Sequence, residues 1–162
     1  MIDHLDSLIL NILQKNARTS NAEIARQVGL APSAVFERLR KLEERGVIEG
    51  YGVKLNPKAI GLPLVCFIFV RSTERAGGVT TADKLAEVPE VLEVHHVAGE
   101  DCFLVKVRAA DTEAVGRMLR ERFGRITTIT STRTTIVLET VKETTALPLS
   151  AAADEEAEAV GA

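Results

Sequence analysis

The chain has 162 residues, room for one large domain or two small ones. With 46% hydrophobic and 27% charged residues it has the composition of a globular protein, and no apolar run approaches the roughly 20 residues that span a bilayer. The net charge of −3 is uneven: residues 15–60 hold nine Lys/Arg against five Asp/Glu, residues 61–142 hold eleven of each, and the stretch from Glu143 holds five acids and no base.

The first residues are acidic and amphipathic rather than basic and apolar like an export signal, so the expected location is the cytoplasm. Asp3 to Lys15 reads as a helix, with Leu5, Leu8, Ile9, Ile12 and Leu13 at helical spacing. Ser20 and Glu23 have the spacing of a capping box at the start of a second helix, whose apolar face is Ile24, Ala25 and Val28 and which Gly29 ends. Pro32 suits the first turn of a third helix, where its missing N–H leaves no bond unmade. Val35, Leu39 and Leu42 form the buried stripe of that helix, while Arg38, Lys41 and Arg45 share another face. Two short helices joined by a glycine turn, the second one basic, suit insertion into the major groove of DNA. The third helix is expected to end at Gly46, and residues 47–55 to form a two-stranded wing around Gly50. The turn-rich run from Asn56-Pro57 to Leu62-Pro63 marks a boundary, giving a domain of residues 1–62.

The second domain, 63–142, opens with an apolar strand, Leu64–Arg71, followed by a helix from Gly77-Gly78 to Glu87. Val91–Ala98 and Cys102–Ala109 read as a hairpin around Gly99-Glu100-Asp101. Asp111 or Thr112 caps a helix to about Phe123, and Ile129–Val141 is a long final strand rich in Thr, Ile and Val. The order βαββαβ predicts a ferredoxin-like domain, making the whole chain α+β: a winged helix-turn-helix followed by a ferredoxin-like unit. Helices cover only one face of such a sheet, so pairing with a second copy, sheet against sheet, is the simplest cover for the other. The low-complexity acidic stretch 143–162 is read as a disordered tail.

Among the chemistry-bearing residues, Cys66 and Cys102 lie in apolar strands and read as buried free thiols. His95 and His96 are neighbours on one strand, so they face opposite sides and cannot share a metal. No metal, cofactor or catalytic residue is expected. Base edges would be read near the start of the third helix by Ser33, Phe36 and Glu37, with Arg38, Arg40 and Lys41 beside them. Arg18 and Lys54 are placed for phosphate, and Arg38 has the alternative of pairing an acid within the domain.

These residues resemble the Lrp/AsnC (feast/famine) transcriptional regulators. The resemblance is carried by Asp3–Leu10, Asn16–Arg18, Ala22–Ala25 and Arg38–Ile48 in the first half, and by Val97–Val107 and Ser131–Leu138 in the second. It implies a DNA-binding regulator, not an enzyme, that forms dimers and often tetramers or octamers. It also implies an amino acid or related metabolite bound between dimers, at Gly99, Glu100, Asp101 and Cys102 and at Thr132 and Thr134. The expected partners are thus double-stranded DNA, further copies of the chain and a small effector, without a membrane. Three positions depart from the pattern common in the family: Ala31 for an N-cap Ser, Cys102 for Asp, and Thr127-Thr128 for Pro-Gly. The alternatives are a regulator without a ligand, or an enzyme similar to the sirohaem decarboxylases, which share this scaffold and in which His95 or His96 would meet the tetrapyrrole.

Overall fold

The computed structural model describes residues 2–74, 78–99 and 102–149. The chain up to Lys54 and the segment from Glu143 belong to one compact unit, and Leu55–Lys142 form the other.

The first unit is built on α1 (His4–Lys15), α2 (Asn21–Val28) and α3 (Pro32–Glu44). A full capping box starts α1: Asp3 accepts the Asp6 N–H at 2.8 Å, and Asp6 accepts the Asp3 N–H at 3.2 Å. The box expected at Ser20 forms only by half. Ser20 Oγ accepts the Glu23 N–H, but the Glu23 carboxylate turns to Arg26 and Gln27 instead of reaching back. Gly29 ends α2 at φ 70°, a left-handed conformation that costs a residue with a Cβ but not glycine. Pro32 opens α3 as expected, and Ala31 before it offers no side-chain cap. Ile9, Ile24, Ala25, Val35 and Leu39 close the core between the three helices. Each large aliphatic side chain buried there contributes about 1.5–3 kcal/mol.

The expected strands of the wing do not form among the described residues: 47–55 contains no strand. The Val47 and Ile48 N–H groups both bond the Leu42 carbonyl, which satisfies the end of α3 and leaves no ladder to start a hairpin. A lone two-stranded ribbon is marginal in water in any case. The tail reading also changes at its start. Leu147 and Gln14 bond each other twice (N to Oε1 at 2.6 Å, Nε2 to O at 3.1 Å), and Asn11 Nδ2 bonds the Leu149 carbonyl at 3.4 Å. Residues 147–149 thus run along α1, while the expected tail from residue 150 onward lies outside the described residues.

The second unit runs β1 (Leu64–Ser72), α4 (Thr80–Ala86), β2 (Val91–His96), β3 (Phe103–Ala109), α5 (Thr112–Glu121) and β4 (Ile129–Ile136). All pairings are antiparallel in the order β2-β3-β1-β4, as the ferredoxin-like reading requires. Cys66, Ile68 and Val70 of β1 and Phe103, Val105 and Val107 of β3 alternate onto one face, where Leu85 of α4 and Val115 and Met118 of α5 pack. The opposite face carries Phe67, Phe69 and Leu104, none of them part of that core. Strand β4 is shorter than expected because β1 begins only after Pro63: Val137 makes the last bond, to the Val65 carbonyl, and the chain beyond has no partner strand. The first turn of the predicted α4 is likewise absent. Thr80 starts that helix, with Gly77 outside the described residues.

Candidate DNA interface and effector site

Helix α3 exposes Ser33, Phe36, Glu37, Arg40 and Lys41 together, because its buried stripe occupies the opposite side. Phe36 is 55% exposed, a large apolar surface left in water on a helix otherwise lined with polar groups. Arg40 sits between Glu37 at 2.9 Å and Glu44, so these charges neutralise one another in the free protein. Exposed pairs of this kind are worth little. Arg18, Lys41 and Lys54 are exposed, and none has an ion-pair partner among the described residues.

Arg38 departs from the expected set, taking up its alternative. One guanidinium nitrogen donates to Asp3 and Asp6 at 2.7 Å each, and the Asp6 side chain is nearly buried. Arg38 therefore ties α3 to the start of α1 instead of facing outward. The Asp6 N–H and then Arg38 hold the Asp3 carboxyl below its ordinary range. The sequence contained the signal, an acid pair at the start of α1, but its partner thirty-odd residues away became visible only in the fold.

In the second unit, Gly99 (φ 132°) and Cys102 line a cavity of about 210 Å³ with Ser72, Glu74, Gly78 and His96. That is below the ~300–1,000 Å³ of pockets for drug-sized ligands and suits a small metabolite. Thr132 lines a different hollow, with Phe123, Gly124 and Thr130, and Thr134 borders neither. The two hollows flank β1: the Cys102 N–H bonds the Val70 carbonyl on one side, while Thr132 pairs with Val70 on the other. One chain alone does not bring the expected effector residues together. Glu100 and Asp101 lie outside the described residues.

Residues not singled out in the sequence frame the cavity. Glu74 accepts the Thr80 and Thr81 N–H groups at 3.0 and 2.9 Å, so it caps α4 in place of Val79, which has no side-chain oxygen. The hydrogen bonds from Thr81 and then Thr80 hold its carboxyl below the ordinary range. Thr81, fully buried, shares its hydroxyl with Ser72 (3.1 Å) and Thr128 (2.8 Å), and Thr128 also accepts the Thr73 N–H. Thr128, in the departing Thr127-Thr128 pair, is thus a strut between β1 and α4. Because the Glu74 carboxyl is lowered by folding, its stabilisation is present above about pH 4.5 and is lost as pH falls through the folded value. Glu74→Gln is expected to lower the melting temperature near neutrality, with the gap to the native protein closing as pH falls through the folded value; thermal scans from neutral into acid measure it.

The two histidines face opposite sides, as expected. His95 pairs with Glu93 at 3.2 Å, near Lys106, while the His96 ring lies against Phe103 with centroids 5.1 Å apart. Cys66 is buried, which pushes its thiol up, and Cys102 is half-buried with Sγ 3.7 Å from the Ser72 carbonyl. No helix of the described residues is long and apolar enough to cross a membrane.

An exposed second helix carrying Arg40 and Lys41 on a helix-turn-helix, followed by a ferredoxin-like unit with a small cavity, is the architecture of a DNA-binding regulator with a ligand-binding domain. Residues 2–49 match the winged helix-turn-helix DNA-binding family, and residues 65–147 match the Lrp/AsnC ligand binding domain. The chain belongs to the Lrp/AsnC family of transcriptional regulators. It is 38% identical over 149 residues to the HTH-type transcriptional regulator FL11 of Pyrococcus horikoshii, covering 91% of this chain and 97% of that one. It is 37% identical over 151 residues to the leucine-responsive regulatory protein of Escherichia coli, covering 90% of each. The structure is similar to that of the transcriptional regulator NMB0573 of Neisseria meningitidis in complex with L-methionine, with a TM-score of 0.85 at 30% identity over 91% of this chain and 97% of that one.

Proposed function

We propose that this regulator works in the cytoplasm as a dimer or a larger even assembly, and that an amino acid or related small metabolite tunes its hold on operator DNA. The observation that carries the reading is the pairing, in one chain, of an exposed recognition helix with a sheet whose second face is left out of its own core. Joining two such faces brings two copies of α3 into one assembly, each to meet a major groove with Ser33, Phe36 and Glu37 toward base edges and Arg18, Arg40, Lys41 and Lys54 toward phosphate. Arg38 is assigned to holding the domain together.

For the effector, support comes from the small cavity at Gly99 and Cys102 and from the relative bound to L-methionine. The hollow at Thr132 is separate within one chain, so a joint site with Thr132 and Thr134 requires a second dimer to bring the two segments face to face. A ligand held there binds one assembly better than another and shifts operator affinity by that difference. The relatives that the chain matches are transcriptional regulators, which supports reading it as a regulator without catalysis rather than as a tetrapyrrole enzyme.

Thermal scans of the purified protein with each amino acid test this. A ligand at about 100 times its dissociation constant adds about 2.7 kcal/mol and raises the melting temperature by several degrees. The same ligand should change the mobility of the DNA complex. If no amino acid shifts the transition while operator binding stays intact, the protein regulates without an amino-acid effector.

A further inference from the structure

Among the described residues, the cavity at Gly99 and Cys102 is lined by one carboxylate, Glu74, and by no Lys or Arg. Glu74 is held in place from several sides. Its own N–H donates to Ser72 Oγ at 3.0 Å, while one carboxylate oxygen accepts the Thr80 N–H at 3.0 Å and the other the Thr81 N–H at 2.9 Å. Gly78 lies against its stem: a Cβ there would stand 2.3 Å from the Glu74 Cγ, so any larger residue would displace the side chain. The bonds from Thr81 and then Thr80 hold the carboxyl below its ordinary range, and no cation pairs with it among the described residues. Each oxygen keeps a lone pair beyond the one its N–H bond uses. Val97, Phe103 and the half-buried Cys102 add apolar and sulfur surface to the same cavity. A fixed anion without a counter-charge, beside apolar surface in about 210 Å³, is complementary to a small molecule that carries an ammonium group and a short uncharged chain.

We propose that Glu74 holds the ammonium group of the effector, which restricts this cavity to small amines and amino acids with uncharged side chains. The inference rests on the effector occupying the cavity at Gly99 and Cys102, and it adds the residue that selects the ligand. An ammonium brings three donors, and the carboxylate that receives them is already oriented by two backbone N–H groups, so little side-chain freedom is lost on binding. Losing a charge-assisted hydrogen bond of this kind weakens a ligand about tenfold.

The test titrates the full chain, well below its melting temperature, with three probes that share one side chain: L-methionine, its decarboxylated amine and its deaminated acid. The other amino acids with uncharged side chains follow in the same sets of three. The native protein should bind the better of the two ammonium-bearing forms about tenfold more tightly than the deaminated acid. Glu74→Gln should erase that preference. Thr128→Val serves as the control, because it removes a hydroxyl that bonds Thr81 at 2.8 Å and loosens the same region without touching the carboxylate. A loss of stability alone weakens all three probes alike, so this variant should keep the preference. An amine bound as tightly as its amino acid makes the ligand an amine, and a weaker one makes it an amino acid; the ammonium contact stands in both. A native protein that binds the deaminated acid as tightly as the ammonium forms overturns the proposal, and so does a preference that survives in Glu74→Gln, while the effector reading itself stands. If no probe binds although DNA is still bound, the effector reading fails and takes this proposal with it.

Discussion

Phe69→Asp is expected to leave each chain folded but to dissociate the dimer proposed above, with operator affinity falling about 10²–10⁴-fold. Phe69 stands on the sheet face opposite the core, half-buried, with the Arg133 guanidinium 4.0 Å above its ring and Phe67 on the same face of β1. A carboxylate there costs the fold little because water reaches it and Arg133 lies beside it, but burying that pair against a second sheet means stripping the hydration of both charges, in place of an apolar ring that packs. The large loss in DNA binding follows from bivalency. Once one α3 is seated, the other binds as a tethered partner, an advantage of about 10²–10⁴ that a monomer forfeits. Sedimentation and a DNA titration measure the two effects together. Phe69→Ala, which introduces no charge, should weaken the dimer less and serves as the control for folding. A dimer that survives Phe69→Asp with full DNA affinity would place the association surface elsewhere.

Arg38→Ala and Lys41→Ala should fail in different ways, although the two residues lie one turn apart on the same basic stripe. Arg38 is spent on Asp3 and Asp6. Removing it breaks two charge-assisted hydrogen bonds and strands the nearly buried Asp6 carboxylate, a loss of about 1–3 kcal/mol. In a unit of this size each kcal/mol lowers the melting temperature by about 4–8 °C. Once refolded at low temperature, the variant should keep the salt dependence of DNA binding. Lys41→Ala should leave the melting temperature unchanged within error and weaken all DNA sequences alike. Its logarithmic salt slope should be shallower by about 0.9 for each phosphate that the lysine neutralises in the native complex. A melting temperature unchanged in Arg38→Ala, together with a reduced salt slope, would return Arg38 to the DNA-contacting set. Acidification sharpens the distinction. The Asp3 carboxyl is lowered by folding, so its contribution persists above the ordinary carboxylate range and disappears as pH falls through the folded value.

The elements were legible wherever a short-range pattern decides them. The apolar spacing of α1, α2 and α3, the left-handed Gly29, Pro32 at a helix start and the alternation in β1 and β3 all depend on residues within a turn or a strand of each other. For the same reason the βαββαβ order, and with it the fold class, followed from the chain alone. What the sequence left open depends on partners distant along the chain. Arg38 looked like one more cation on a basic helix until the fold brought Asp3 and Asp6 to it, more than thirty residues away. The two strands expected of the wing do not form among the described residues, and the Val47 and Ile48 N–H groups are spent on the Leu42 carbonyl. Strand β4 stopped where β1 begins, although Thr and Val continue past it.

At the Gly99 loop, the turn was readable from its glycine, but only the folded sheet decides what faces it. Val70 separates Cys102 from Thr132, and the cavity wall comes from Ser72, Glu74 and His96 on β1, its extension and β2. Local periodicity is written into neighbouring residues, whereas a site is assembled by the contacts that tertiary packing selects.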